Sequence, residues 1–194
     1  MMDILIKEME AYAKLHDVPI MQDEGLAFMC SFIEEHKVKR ILEIGSAIGY
    51  SALRMAMLDK DIEIVTIERD EIRYNKAKEF ISKSNCESQI ELRNEDALQS
   101  IIEGEFDLLF IDAAKAQYIK FFERYETNVK HGGFIITDNL QFHGFVNHPE
   151  KVTSRNLRQL VTKIAKFTEY LTKRNDYQTK FLKIGDGVGI SKKL

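Results

Sequence analysis

Two short polar motifs close apolar runs in the middle of this chain. Asp112-Ala113-Ala114-Lys115 follows the run 106–111, and Asp138-Asn139 follows the run 133–137. Two carboxylates and one amide oxygen are hard donors. They suit a cation such as Mg²⁺ and leave about half of an octahedron for water and substrate. No Cys or His grouping at metal-ligand spacing competes for that role. Lys115 stands three residues after Asp112. A lysine beside a cation gives up its proton more readily, which makes Lys115 a candidate base for a substrate hydroxyl. The alternative is a solvated lysine at a helix start, and Asp138 could equally cap a turn.

A second constellation lies upstream. Glu43-Ile44-Gly45-Ser46-Ala47-Ile48-Gly49-Tyr50-Ser51 joins an apolar run to a helical pattern. Glycines there let the backbone turn sharply and approach a ligand closely. Glu68 ends the next apolar run, 19 residues after Gly49, where a carboxylate can accept both hydroxyls of a ribose. A nicotinamide dehydrogenase carries a similar turn and acid. Two details oppose it. The spacing is G-x-x-x-G, and Glu43 precedes the first glycine, where it could meet a cationic ligand directly or through water. S-adenosylmethionine is cationic; a dinucleotide brings an anionic pyrophosphate. Asp96, in Asn94-Glu95-Asp96-Ala97, stands at the depth expected for an adenine amino group, or else caps a helix over 97–103.

The elements that must position these groups follow from apolar spacing. Helical spacing covers 4–16 behind Asp3, then a second helix behind Asp23 with Leu26, Met29, Cys30 and Ile33 on one face. Strands over 40–44, 62–67, 90–93, 106–111 and 133–137 alternate with helices over 51–58, 71–83 and 118–129. A long helix spans 154–173, and strands over 178–184 and 188–192 meet at Gly185-Asp186-Gly187. Such alternation predicts a doubly wound α/β sheet, with ligands at the carboxyl ends of the strands. The expected organisation is one domain over 1–194, with a helical cap over 1–36 and an α/β core over 37–194.

Composition sets the frame. The 194 residues are 44% hydrophobic and 30% charged, with only 2 Pro, which excludes a disordered or collagen-like chain. Cys30 and Cys86 stand far apart and read as reduced thiols. No basic leader precedes an apolar core, and no window suits a membrane span, so the expected compartment is the cytoplasm without membrane association. The net charge of −3 hides an asymmetry: residues 151–183 carry +7, 184–194 carry +1, and residues 1–150 carry −11.

The segments E-I-G-S-A-I-G-Y-S-A, F-D-L-L-F-I-D-A-A-K, G-G-F-I-I-T-D-N and I-G-D-G-V-G-I-S-K-K resemble the metal-dependent O-methyltransferases of the catechol and caffeoyl-CoA type. The likeness runs roughly from Pro19 to Lys193. It implies a Rossmann-like class I methyltransferase fold: a seven-stranded, mostly parallel sheet with its last strand antiparallel and helices on both faces. It also implies S-adenosylmethionine and Mg²⁺ as cofactors. By resemblance, Asp112, Asp138 and Asn139 hold the metal and Lys115 is the base. Glu68 takes the cofactor ribose, and Asp96 and Ala97 take the adenine. Glu43, Gly45 and Ser51 surround the methionine portion, Met21 touches the cofactor, and Asp112 borders it too. Where the classical methyltransferase loop has a middle glycine, this chain has Ala47, and the branch it resembles commonly has a non-glycine there.

Within the family, the chain looks closest to bacterial tRNA 5-hydroxyuridine methyltransferases, which make 5-methoxyuridine at the wobble position. A catechol offers two vicinal oxygens to a metal, and 5-hydroxyuridine does so through its 5-OH and O4. The motif alone therefore allows either acceptor, with a small catechol-like molecule as the alternative. The chain lacks Trp and has no match to the aromatic residues that hold catechols in animal relatives. Arg155, Arg158, Lys163 and Lys166 recur near helical spacing and would attract the phosphates of a tRNA anticodon stem-loop. A solvated helix face or a dimer contact is the alternative. In the loop before that helix, Phe142, His143, Phe145 and His148 could stack on a flipped base or close as a lid. Family resemblance also implies a homodimer.

Overall fold

The computed structural model describes residues 2–142, 144–146 and 148–194; His143 lies outside the described residues. Two helices, α1 (Met2–Leu15) and α2 (Asp23–Glu35), precede an alternation of strands and helices. This runs β1 (Arg40–Ile44), α3 (Tyr50–Ala56), β2 (Glu63–Ile67), α4 (Glu71–Ser82), β3 (Ile90–Arg93), β4 (Phe106–Ile111), α5 (Tyr118–Tyr125) and β5 (Val129–Thr137). The long α6 (Arg155–Lys173) leads into β6 (Tyr177–Leu182) and β7 (Val188–Lys193). The seven strands form one sheet in the order β3-β2-β1-β4-β5-β7-β6. Strands β1 to β5 are parallel, and β7 is antiparallel to both of its neighbours. The doubly wound expectation, the strand number and the antiparallel last strand are all met.

Side chains alternate across the sheet with period two, so each strand feeds two cores. In β4, Leu108 and Phe110 face a cluster built with Met9, Met29, Leu53 and Phe80 from α1 to α4. Leu109 and Ile111 face the other cluster, with Phe122 of α5 and Ile164 and Phe167 of α6. Helices thus cover both faces. The leading helices share the first core, because Leu5, Met9, Leu26 and Ile33 pack within it.

Several boundaries differ from expectation for local reasons. Helix α1 already includes Asp3 in its first turn, and Asp23 follows the N-cap residue Gln22. Helix α5 ends at Tyr125, a tight turn spans Glu126–Asn128, and Val129 already belongs to β5. No helix forms over 97–103; Leu98 N–H bonds the Asp96 carboxylate at 2.9 Å, closing a single turn. At the other end, β6 stops at Leu182, and a five-residue connection leads to β7. None of the described helices is long and apolar enough to cross a membrane.

Strand register positions the site. Ile67, Ile44, Ile111 and Thr137 are partners in one row across β2, β1, β4 and β5. The next residue on each strand is therefore Glu68, Gly45, Asp112 and Asp138. Hydrogen bonds carry the ladder one step past the sheet, from Gly45 N to Ile67 O (2.9 Å), Asp112 N to Ile44 O (3.0 Å) and Asp138 N to Ile111 O (3.4 Å).

Candidate active site

A cleft of about 470 Å³ opens over this row, within the usual range for small-ligand sites. Its lining brings together Met21, Gly45, Ser51, Glu68, Asp96, Ala97, Asp112, Lys115, Asp138 and Asn139. Ten of the residues singled out in the sequence thus meet in one place.

The glycine loop forms the floor beside β1. Gly45 has φ +98°, and a Cβ there would lie 2.7 Å from the Asp112 carbonyl oxygen, so only glycine lets the two strand tips approach. Gly49 has φ +80° and starts α3 against Ala77 and Ile81 of α4. Ala47 also takes a left-handed conformation, φ +46°, where glycine would be unstrained. Its N–H donates to Glu68 Oε2 at 2.9 Å, which helps hold the turn. The other Glu68 oxygen accepts Asp70 N–H at 2.8 Å. The carboxylate is thereby fixed, and each oxygen retains acceptor capacity for a ribose hydroxyl.

Glu43 departs from expectation. It is fully buried and does not line the cleft. Strand parity turns it to the same face as Ile41, beneath α3, so it cannot meet a ligand directly. Its two oxygens accept Ser51 Oγ and Thr66 Oγ1, each at 2.5 Å. Burial pushes its carboxyl up to about 7, although both hydroxyls oppose the shift and nearby Glu68 adds to it. Glu43 acts on the cleft through Ser51, which it holds in the wall. Asp96 is exposed at the rim, where it both closes its turn and faces the cleft, while Ala97 is buried behind it.

The acidic end differs in character. Asp112 keeps some accessible surface, but the strand tips desolvate its carboxyl. That burial, followed by the charge of Asp138, raises it to about 8. Asp138 is raised as well, first by burial, while Asn139 N–H and Lys115 oppose the shift. Asn139 N–H donates to Asp138 Oδ1 at 2.7 Å, and Asn139 is left-handed at φ +59°. Lys115 begins a tight turn over Lys115–Gln117, with its ammonium 5.9 Å from the centroid of the Phe142 ring. Among the described residues no group of three His, Cys, Asp or Glu side chains is placed to hold a metal. The donor set that fits a hard divalent cation is two carboxylates and the Asn139 amide. Their mutual repulsion is the chemistry such a cation would relieve.

Arg155 and Arg158 stand apart from the cleft. They do not line this cleft, but a separate shallow groove with Gln159, Thr162, Lys163 and Lys166. Arg158 Nε donates to Val152 O at 2.7 Å. The helix that carries this groove also packs on the Lys115–Gln117 turn.

The sequence reading passed over three contributors. Ser46 is buried, lines the cleft and has no hydrogen-bond partner for Oγ. Its place inside the glycine loop was the available signal. Asp186, from the β6–β7 connection, reaches the cleft rim and adds to the repulsion on Asp138. Tyr118 is buried behind the acidic end, and its hydroxyl donates to the Asp138 carbonyl at 2.9 Å.

A seven-stranded sheet with β7 reversed, and a ligand cleft at the glycine-turn tip of β1, define a class I methyltransferase. Residues 2–194 match the O-methyltransferase family, and the chain belongs to it as an S-adenosylmethionine-dependent O-methyltransferase. A caffeoyl-CoA O-methyltransferase of Populus kitakamiensis is 30% identical, covering 94% of this chain and 81% of that one. A crystal structure of a provisionally named caffeoyl-CoA O-methyltransferase from Staphylococcus aureus is 41% identical. It superposes with a TM-score of 0.93 over 97% of this chain and 92% of that one. The SAH-bound methyltransferase of Podospora anserina is 25% identical, with a TM-score of 0.88 over 98% and 88% of the two chains.

Proposed function

We propose that this protein is a Mg²⁺-dependent enzyme that methylates 5-hydroxyuridine at the wobble position of tRNA, with S-adenosylmethionine as the donor. The supporting observation is that α6, which carries the basic groove, also packs on the Lys115–Gln117 turn of the acidic cleft. Such a groove attracts phosphates while the cleft receives a base and a cationic cofactor.

In this reading Glu68 takes the ribose hydroxyls, and Asp96 and Ala97 take the adenine. Gly45 permits close backbone approach to the methionine portion, Ser51 stands in the wall beside it, and Met21 closes the roof. Asp112, Asp138 and Asn139 would hold the cation, which would supply Lewis-acid polarisation of an acceptor hydroxyl. Lys115 removes the acceptor hydroxyl proton. The acceptor oxygen then bonds to the methyl carbon as the carbon–sulfur bond breaks, so positioning the two supplies much of the rate. The protein acts as a homodimer in the cytoplasm, where Cys30 and Cys86 stay as thiols.

A second reading, a small catechol-like acceptor, is favoured by the names of the caffeoyl-CoA relatives. Purified protein with labelled cofactor, offered hydroxyuridine-containing tRNA and free catechols in parallel, separates the two. Transfer to tRNA that is lost in EDTA is expected. Transfer to catechols alone would overturn the tRNA assignment, as would unchanged 5-methoxyuridine in tRNA from cells lacking the protein. Light scattering that returns a monomer mass would overturn the dimer.

A further inference from the structure

Helix α5 carries two tyrosines that the chemistry does not use. Tyr118 and Tyr125 are each 1% exposed and stand seven residues apart. Two helical turns separate them, about 10 Å along the axis, and they share a face. Each hydroxyl donates to a backbone carbonyl far away in sequence. Tyr118 reaches Asp138 O at 2.9 Å, and Tyr125 reaches Ala97 O at 2.5 Å. Those two carbonyls belong to opposite ends of the cleft. Asp138 stands at the acidic end, and Ala97 at the end assigned to adenine.

We infer that α5 is a brace that sets the two ends of the cleft against each other, with Tyr118 positioning the Asp138–Asn139 peptide and Tyr125 positioning the Asp96–Ala97 turn. Both segments lack regular structure of their own. Asn139 is left-handed and 97–99 form only an isolated turn; the ladder ends at the 3.4 Å bond from Asp138 N to Ile111 O, so the Asp138 and Ala97 carbonyls lie outside any strand or helix. Each needs an external anchor, because an unanchored carbonyl lets the adjoining side chain turn away from the cleft. Neighbouring contacts stiffen both anchors. The Tyr118 ring meets Phe167 of α6 edge-on at 5.3 Å, and Arg124 Nη2 donates to Ser100 O at 2.6 Å. Phe121, between the tyrosines in sequence, lines the cleft itself. One helix therefore touches the cleft through Phe121 and bonds a carbonyl at each end.

The inference rests on the proposed roles of the two ends, and its test separates the two ideas. Tyr118→Phe and Tyr125→Phe each remove one oxygen and keep the ring. Mn²⁺ affinity is read by the resonance of the free ion, and S-adenosylhomocysteine affinity by calorimetry. Wild-type protein that binds neither ligand would defeat the assigned roles, and the brace with them. With wild-type binding in hand, Tyr118→Phe is expected to weaken Mn²⁺ about tenfold and leave S-adenosylhomocysteine within about twofold. Tyr125→Phe is expected to weaken S-adenosylhomocysteine about fivefold and leave Mn²⁺ within about twofold. A purely structural role would lower thermal stability in both variants without this division. Equal loss of both ligands in each variant, or loss of neither, overturns the brace. Should a variant fail to fold, Phe167→Leu at the acidic end or Arg124→Gln at the adenine end reads the same division.

Discussion

The two ends of the cleft hold their carboxylates in opposite ways. At the glycine-loop end, protein donors satisfy the acids: Glu68 accepts two backbone N–H groups, Glu43 two hydroxyls and Asp96 one N–H. At the other end, burial raises both Asp112 and Asp138, although Asn139 N–H donates to Asp138; the charge of Asp138 adds to the shift on Asp112, and that of Asp186 to the shift on Asp138. The first end is preorganised before any ligand arrives. The second is electrostatically costly, and the proposed cation would relieve that cost. Gly45 joins them, because its missing side chain lets the β1 tip lie against Asp112.

The sharpest break of this comparison is Asp138→Ala. On the proposed roles, removing one of the two carboxylates assigned to the cation is expected to cost on the order of 10³-fold in turnover, with cofactor affinity nearly unchanged, as read by labelled-methyl transfer and calorimetry. Glu68→Ala should do the converse. The KM for S-adenosylmethionine rises about 30-fold while divalent-ion affinity stays put, because a charge-assisted bond to the ribose is lost together with the Ala47 clamp. If either variant disturbed both ends equally, the division would be wrong.

Stability against pH sharpens the same contrast. Without a cation, the folded chain holds the Asp112 proton to about 8 and that of Glu43 to about 7. Unfolded carboxylates lose theirs near about 4. The folded state therefore binds more protons across this window, and stability falls as pH rises through it. We expect the Tm to drop by several degrees between about pH 5 and pH 8, and Mg²⁺ to restore the part due to Asp112. Asp112→Asn should abolish the Mg²⁺-sensitive part. Glu43→Gln should abolish only the part that Mg²⁺ cannot reach. The smallest effect belongs to the groove outside the cleft. Arg155→Ala with Arg158→Ala should weaken tRNA binding about fivefold and flatten its salt dependence, with no effect on cofactor affinity.

Much of this was legible in the residues alone. The strand–helix alternation showed in apolar spacing, and polar residues at strand ends marked the cleft, since local patterns encode both. Glu43 was legible as important but not in its direction. Its carboxylate lies under α3 through strand parity combined with the covering helix, and only the first of these is local. Arg155 and Arg158 were legible as a basic face, yet their separation from the cleft depends on how α6 docks. No local pattern marks Tyr118 and Tyr125, because the carbonyls that they hold are 20 and 28 residues away in sequence.

By itself the sequence determined the chemistry available: a glycine turn, a ribose-type acid, two carboxylates with an amide, and a lysine, each next to a strand that its own side chains specify. Tertiary structure decided that Glu68, Gly45, Asp112 and Asp138 form one row, and which of the acids are buried beside another charge. The physical reason is that strand register and desolvation are properties of the assembled sheet. A parallel ladder pairs residues tens of positions apart, and a carboxylate becomes costly only when other segments take away its water.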